Sequence, residues 1–234
     1  MEYDHERKNY SSKVNRQDGL GSQLLVFITG YAIAYKNNYN YVQNSNTIHK
    51  KDIEKYGFFV NNDAEVDILE RNPKLKHMGK EDELFTNEVM DNLRSILSIN
   101  VNEGYDWVIH IRRRDVSRTQ HKERYIKDET YEKLVKQIRE KYGNEQKILI
   151  CSEGKESNFN YLKDYNVKLY LNEDIHDTMG CMIGAKNLVI GKSDYSYIAG
   201  LYNIKNVYYF PFWHKGMEHW MNVKEQFDVG YVRS

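Results

Sequence analysis

The chain has 234 residues, of which 40% are hydrophobic, enough for one large or two small domains with a buried core. Its 34 lysines and arginines balance 34 aspartates and glutamates, which argues against a protein that binds nucleic acid through bulk electrostatics. The sequence contains neither an apolar run of about 18 residues nor an apolar N-terminal core, so we expect no membrane span, no signal peptide and a cytoplasmic location.

The first half of the chain is predicted to contain helices and little sheet. Residues 1–17 are polar and are predicted to form a flexible arm. An apolar run at 24–34 is long enough for a buried helix and follows a glycine turn at 18–23. The remaining predictions are a short strand at 39–43, a helix at 47–57, an irregular stretch at 58–80 and an amphipathic helix at 81–97.

The second half alternates strands with helices, which indicates a parallel sheet with right-handed crossovers. The predicted strands are 107–111, 147–151, 167–171, 188–191 and 207–210. The predicted helices are 130–142, 155–163, 177–186 and 193–202. The two cysteines, Cys151 and Cys181, have no metal-binding spacing and are expected to be buried thiols.

Three arginines and an aspartate, Arg112 to Asp115, follow the apolar strand at 107–111. Ligands of α/β proteins bind beyond the carboxyl ends of strands, and a guanidinium pairs with two oxygens at once. We therefore expect Arg112 and Arg113 to bind a phosphate or diphosphate, the alternative being a solvated charge run. His110, inside the strand, is either a ligand-binding group or a core histidine bonded to a backbone carbonyl.

Two glycine-containing turns precede predicted helices. The turn at 191–196 places Ser193 and Ser196 at a helix N-terminus, where free N–H groups bind phosphate; ordinary capping by Ser193 or Asp194 fits equally well. The turn at 18–23 holds Gly19 and Gly21, which permit close approach of a ligand to the backbone. This second turn is neither a GxGxxG motif nor a Walker loop.

In this order, the three motifs resemble those of fucosyltransferases. DGLGSQ at 18–23 is similar to the GGLGNQ opening of α-1,2-fucosyltransferases. HIRRRD at 110–115 resembles the HxRRxD motif shared by α-1,2-, α-1,6- and protein O-fucosyltransferases. Residues 177–200 resemble their third motif, with SDYS at 193–196 in place of the S-x-F-S turn. The resemblance extends over most of residues 18–203.

The resemblance implies an α/β fold of the GT-B glycosyltransferase type, with Rossmann-type parallel sheets and a reduced N-terminal half. It implies an acceptor-side subdomain at 18–103 and a nucleotide-sugar-binding subdomain at 104–234. The implied reaction is inverting and needs neither a metal nor another cofactor. It transfers fucose from GDP-fucose to a glycan acceptor, and no nucleic-acid partner is expected.

The resemblance also implies the donor site. Arg112 is expected to bind the diphosphate and Asp177 the guanine. Ser193 and Ser196, in the turn at 193–196, are expected to contact the phosphates. The full predicted set is Gly19, Gly21, Gln23, His110, Arg112, Arg113, Asp177, Ser193, Asp194, Tyr195 and Ser196. The chemistry is consistent, because without a metal a departing diphosphate must be stabilised by arginines and helix N–H groups.

Three residues depart from the family pattern. Ser22 replaces the asparagine of GNQ, Arg114 replaces a glycine of the α-1,2 enzymes, and Gln120 lies where α-1,6 enzymes have a glutamate proposed as base. Because a glutamine cannot take a proton, the base is open. The predicted catalytic residues are Arg112 with Asp115, His121 and Glu123 as candidate bases.

These departures keep other functions open. The same fold with a rhamnosyl or xylosyl nucleotide donor is one alternative, and a module that binds a nucleotide sugar or glycan without turnover is another. A single-strand nucleic-acid binder using the arginine loop is disfavoured by the neutral charge. The aromatic residues at 208–214, with Trp220, are expected to pack in the core; the alternative is stacking on sugar rings.

Overall fold

Residues 3–15, 17–43, 47–59, 61 and 63–230 are described by the computed structural model. The chain divides into two units, one formed by 1–99 with 213–217 and the other by 100–212 with 218–234. The division after residue 99 is close to the boundary predicted after residue 103. The return of 213–217 to the first unit is not expected from the sequence.

The first unit is a small α/β unit. Its parallel sheet has the order β2-β1-β3, with β1 at Asn9–Lys13, β2 at Asn40–Tyr41 and β3 at Ile68–Arg71. The helices are α1 (Leu20–Lys36), α2 (Lys50–Glu54), α3 (Pro73–Lys76), α4 (Glu81–Leu84) and α5 (Asn87–Ser95). The helix predicted at 81–97 is thus two helices, because Thr86 accepts a hydrogen bond from the Val89 N–H and caps α5.

The central strand β1 lies where a flexible arm was predicted. Its side chains are polar, yet Ser11 and Ser12 are fully buried. The Ser12 hydroxyl is 2.8 Å from the Tyr41 hydroxyl, so its polar atom has a partner inside the unit. Polar composition therefore misled the prediction, because small hydroxyls satisfied by neighbours can occupy a core strand. The irregular stretch predicted at 58–80 likewise contains β3 and α3.

Helix α1 packs closely on this sheet at Gly30. A Cβ at Gly30 would lie 2.6 Å from Ser12 Oγ and 2.9 Å from the Tyr41 ring. Because overpacking a core forces side chains and backbone to shift, we expect Gly30→Ala to lower the free energy of unfolding by about 2 kcal/mol. Denaturant unfolding measures this loss, and an unchanged midpoint would contradict the contact.

The second unit holds a six-stranded parallel sheet of order β6-β5-β4-β7-β8-β9. The strands are β4 (Trp107–Ile111), β5 (Ile148–Ser152), β6 (Lys168–Leu171), β7 (Asn187–Ile190), β8 (Asn206–Tyr209) and β9 (Met221–Asn222). The helices are α6 (Asp128–Tyr142), α7 (Ile175–Gly184), α8 (Asp194–Tyr202) and α9 (Val223–Gln226), with 3-10 segments at Lys122–Arg124 and Glu156–Tyr165. All five predicted strands are present, and β9 is additional.

Strands β4 and β5 are buried along their whole length, as in sheets covered on both faces. The predicted α/β class with Rossmann-type parallel sheets is confirmed. The chain runs outward from β4 through β5 to β6 and then returns to place β7 on the other side of β4. The strand order therefore reverses between β4 and β7, which is where sheets of this kind bind nucleotides.

Other sequence predictions concern burial. Both cysteines are buried thiols, as expected. Tyr208, Phe210 and Trp220 are buried as well, which agrees with the packing interpretation of the aromatic residues. Within the described residues, no helix is long and apolar enough to cross a bilayer.

Candidate functional site

The loops after β4 and β7 meet at the reversal of strand order. A Cβ on Gly191, the first residue after β7, would lie 2.9 Å from the His110 carbonyl oxygen and 3.7 Å from the Arg112 backbone nitrogen. Only a glycine allows this approach. The structure thus brings together two of the predicted motifs, the arginine loop and the turn at 191–196, in what we call the switch crevice.

His110 lies at the crevice on β4 and is 9% exposed. Its Nδ1 is buried without a hydrogen-bond partner, so this nitrogen does not hold a backbone carbonyl as the core alternative required. The ring of Tyr195 meets it edge-on at 5.9 Å between centroids. Because buried polar atoms are nearly always satisfied, an unpaired nitrogen at this position is unusual; its contact with a donor stays a prediction.

Burial lowers the pKa of His110 to about 3, and the charges of Arg112 and Arg113 contribute. The unfolded chain, with a histidine pKa of about 6.5, takes the proton first. The contribution of neutral His110 to the free energy of unfolding is therefore fully present above about pH 6.5. This contribution is lost as the pH falls toward 3. We expect His110→Phe to flatten this acid loss in denaturant unfolding measured from pH 8 to pH 4. Parallel curves for the two proteins would contradict the assignment.

Arg112 is held in one orientation by Asp115. Its Nε is 3.2 Å from Oδ1 and its Nη2 is 2.6 Å from Oδ2 of that carboxylate. These bonds occupy one edge of the guanidinium and leave the Nη1 side to other partners. Burial opposes ionisation of Asp115, but the hydrogen bond and charge of Arg112 outweigh it and lower the pKa of the carboxyl. Asp115 is thus ionised and positions Arg112; its service as a base stays a prediction.

Arg113 holds the loop itself. Its guanidinium bonds the Arg112 carbonyl at 2.9 Å, the Ile126 carbonyl at 3.2 Å and Asp128 at 2.5 Å, and it lies over the Tyr125 ring. These contacts fasten the loop to the start of α6. The predicted contact of Arg113 with a donor stays a prediction.

Arg114 has a φ of +64° and is exposed, with its Nη1 3.0 Å from Glu153 Oε1. A left-handed backbone is easiest for glycine. This chain adopts that backbone conformation with an arginine, at the position where α-1,2-fucosyltransferases have a glycine.

The turn at 191–196 opens α8. Ser193 is the N-cap residue, but its side chain makes no capping hydrogen bond, so the capping alternative is not realised by this hydroxyl. Ser196 is buried and donates to the Gly191 or Ser193 carbonyl. Tyr195 donates to the Ile175 carbonyl at the start of α7, and Asp194 lies in the first turn of α8. The turn is fixed, and the first N–H groups of α8 point out of it.

Lys192 belongs to the same turn and was missed by the sequence analysis. It is 7% exposed, and its Nζ donates to the Glu123 carbonyl at 3.0 Å. A lysine two residues after a buried strand is the signal that would have found it, as for the arginines after β4. Through this hydrogen bond, Lys192 connects the arginine loop to the turn at 191–196. His121 and Glu123 are exposed in that part of the loop, with His121 Nδ1 3.9 Å from Glu123 Oε1.

Asp177 lies at the same edge of the sheet. It is exposed in the first turn of α7, after β6. Asp174 caps that helix by accepting the N–H groups of His176 and Asp177.

The predicted residues of the glycine turn belong to the first unit. Gly19 is the N-cap of α1, and Gly21 lies in its first turn. Gln23 is buried, donating to the Asp18 carbonyl at 2.7 Å and accepting from Thr47 Oγ1 at 2.5 Å. These hydrogen bonds show that Gln23 stabilises the turn. Contact of Gly19, Gly21 and Gln23 with the nucleotide-sugar donor stays a prediction. In the described part of the chain, no group of three His, Cys, Asp or Glu side chains is placed to hold a metal.

Comparison with known proteins returns solved structures only, since no family model and no curated protein matches the chain. A mutant of Arabidopsis thaliana FUT1 in complex with GDP is 10% identical, covering 88% of this chain and 71% of that chain, with a TM-score of 0.49. E. coli heptosyltransferase WaaC with ADP-2-deoxy-2-fluoro heptose is 8% identical, covering 91% and 92%, with a TM-score of 0.49. POFUT1 in complex with GDP-fucose is 12% identical, covering 94% and 74%, with a TM-score of 0.35. Fucosyltransferases, which the motifs resemble, are thus among these structures; at such scores the similarity carries no argument about activity.

Proposed function

We propose that this chain is a nucleotide-sugar-dependent glycosyltransferase that takes its donor diphosphate into the switch crevice. The observation that carries the proposal is the convergence of Arg112, the first turn of α8 and the unpaired Nδ1 of His110 at the ends of the neighbouring strands β4 and β7. The preferred donor is GDP-fucose, and the acceptor is a glycan.

The crevice suits a leaving group that gains negative charge. Arg112 is preorganised by Asp115, so its free edge need not be reoriented as the sugar–phosphate bond breaks. The N–H groups of α8 add the partial positive charge of a helix N-terminus. Donors fixed before the reaction lower the barrier because they are already aimed at the developing charge. This arrangement supports departure of the diphosphate without a metal.

The nucleoside is proposed to extend from the crevice toward α7. Asp177 is exposed there and offers two carboxylate oxygens. Guanine presents adjacent N–H donors on one edge, which one carboxylate can accept together. A uracil or thymine lacks that pair of donors, so Asp177 favours a guanine nucleotide.

An inverting transfer needs one base that takes the acceptor hydroxyl proton as the sugar carbon is attacked. Glu123 and His121 are exposed in the arginine loop, and Lys192 fastens the Glu123 backbone to the phosphate turn. We favour Glu123 as base, with His121 as its neighbour. Asp115 is less suited because its lowered pKa makes it a weaker base.

The test is release of the nucleoside diphosphate from GDP-fucose, dTDP-rhamnose and UDP-xylose, with and without a panel of glycan acceptors. The proposal predicts release from GDP-fucose that an acceptor accelerates. Release from dTDP-rhamnose or UDP-xylose alone would show that the chain is a glycosyltransferase with a donor other than GDP-fucose. Tight GDP binding with no release from any donor would support the non-catalytic module, and no nucleotide binding at all would overturn the proposal.

A further inference from the structure

A cavity of about 240 Å³ lies in the first unit and is lined by none of the residues predicted from the motifs. Helix α1 contributes Tyr31, β2 contributes Tyr41, and the segment after α2 contributes Phe58 and Phe59. Tyr31 follows Gly21 by ten residues of α1, which places it about 15 Å further along the helix than the glycine turn. The cavity is therefore separate from that turn.

Three aromatic rings form one wall of the cavity. Tyr31, Tyr41 and Phe58 meet edge to face, with centroids 5.9–6.1 Å apart and interplanar angles of 72–79°. The Tyr41 hydroxyl donates to Gln43 Oε1 and lies 2.8 Å from the Ser12 hydroxyl, so its polar atom is satisfied within the unit. Because such ring pairs add stability beyond the area they bury, this wall needs no ligand to hold its shape.

The segment that carries the two phenylalanines has a conformation specified by the sequence. Gly57 has a φ of +83°, in the region that favours glycine, and a Cβ there would lie 2.6 Å from the Ile96 carbonyl oxygen. Phe58 is buried, whereas Phe59 is 74% exposed. Tyr3, which also lines the cavity, is 56% exposed. Two aromatic side chains thus lie in water beside the cavity and offer apolar surface for a ligand to cover.

Tyr31 gives the cavity an unpaired polar group. Its side chain is 5% exposed, and its hydroxyl has no hydrogen-bond partner among the described residues. Burial raises the pKa of Tyr31, so the phenol keeps its proton and can donate as well as accept. A purely apolar ligand would leave this hydroxyl unsatisfied at a cost in free energy, whereas a ligand hydroxyl would pair with it. The cavity therefore favours a ligand with both apolar and hydroxyl groups.

Charge and size narrow the class of ligand further. None of the described residues that line the cavity is charged, so a nucleotide or an acidic sugar would be buried there without a counter-charge. The volume of about 240 Å³ corresponds to about eight water molecules and lies below the range of about 300–1,000 Å³ typical of drug-sized ligands. The cavity therefore suits one uncharged ring.

We infer that this cavity binds one uncharged pyranose ring of a glycan, at a site that goes beyond the donor site of the proposed function. A pyranose has hydroxyl groups around its edge and C–H bonds on its faces. The weakly positive C–H groups pack against the negative face of an aromatic ring such as Phe59, while a hydroxyl pairs with Tyr31. Binding at this site needs no nucleotide in the switch crevice.

The experiment titrates the full chain, without nucleotide, with the methyl pyranosides of glucose, galactose, mannose, xylose, fucose, rhamnose and N-acetylglucosamine, followed by saturation-transfer difference NMR. For at least one of them we expect a Kd of about 1 mM, as for a ligand of about 13 non-hydrogen atoms. Phe59→Ala should weaken its binding about fivefold, because an aromatic contact is lost. Ile204→Ala, at an equally exposed residue of the second unit, is the matched control and should leave the Kd unchanged.

A second variant, Tyr31→Phe, tests the hydrogen bond. One monodeoxy derivative of the bound pyranoside should bind about fivefold more weakly than its parent to the unaltered protein, and as tightly as its parent to the variant. The variant loses only a hydroxyl that is unpaired in the free protein, so its free energy of unfolding should not fall. A change in the ratio of the two affinities therefore reports the contact and not the fold.

The outcomes separate this inference from the proposed function. Absence of binding by every pyranoside overturns the inference, as does binding that neither Phe59→Ala nor Tyr31→Phe alters. Tighter binding of toluene than of any pyranoside would assign the cavity to apolar ligands and overturn it as well. GDP binding without pyranoside binding overturns this inference alone. Pyranoside binding that responds to both variants, without GDP binding, supports it and overturns the proposed function.

Discussion

Replacing Arg112 with alanine is expected to reduce kcat/KM for the nucleotide-sugar donor by about a thousandfold, as for loss of a preorganised group that stabilises transition-state charge. Arg112 is the arginine of the loop whose guanidinium is held at the crevice with an edge that Asp115 leaves open. Initial rates of nucleotide release, measured at several donor concentrations, give both kcat and KM.

Arg118→Ala is the matched control for this change. Arg118 lies in the same loop, is exposed, and pairs with Glu129 rather than with a crevice residue. Exposed pairs contribute little, so its removal should leave kcat/KM within about twofold and the free energy of unfolding nearly unchanged. Equal effects of Arg112→Ala and Arg118→Ala would mean that the loop acts only as a surface charge run.

The second large effect is expected in the first unit, at the pair formed by Glu81 and His214. His214 Nδ1 lies 3.2 Å from Glu81 Oε1, and the side chains are 6% and 3% exposed for Glu81 and His214 respectively. Removing one member of a buried pair leaves the other without compensation, at a cost of about 3 kcal/mol. We expect Glu81→Ala and His214→Ala each to lower the free energy of unfolding by this amount.

The neighbouring pair offers an internal comparison. Asp82 and Lys215 come from the same two segments and lie 2.5 Å apart, but Lys215 is exposed. Asp82→Ala should therefore cost less than about 1 kcal/mol. The double variant Glu81→Ala/His214→Ala should cost less than the sum of its single changes, because each single change already removes the shared contact. Additive losses in chemical denaturation would show that the two side chains do not depend on each other.

The second unit was predictable because its signals are local. Strand β4 is a continuous apolar run that ends at the arginines, and α6 has one apolar face and a glycine at its end, Gly143. Each element is therefore recognised from a short window. The strand order, which creates the switch crevice, arises from long-range pairing that no window contains.

The first unit was less predictable for the same reason. Strand β1 is polar in sequence and central in the sheet, since Ser12 finds a partner in Tyr41 of β2 and space beneath Gly30. In the site, only the family resemblance separated Arg112, which borders the crevice, from Arg113; that Arg113 is bonded to its own loop becomes visible only in the structure. Lys192 was not predicted as a site residue because a single lysine forms no recognisable motif. Its burial is seen only in the structure.

The most direct measurement is a crystal structure of the chain grown with GDP. The account predicts the diphosphate in the switch crevice, within hydrogen-bond distance of the Arg112 guanidinium and the first N–H groups of α8, with a polar atom of the ligand on His110 Nδ1. GDP bound at another edge of the sheet, with Arg112 still paired only to Asp115, would contradict it.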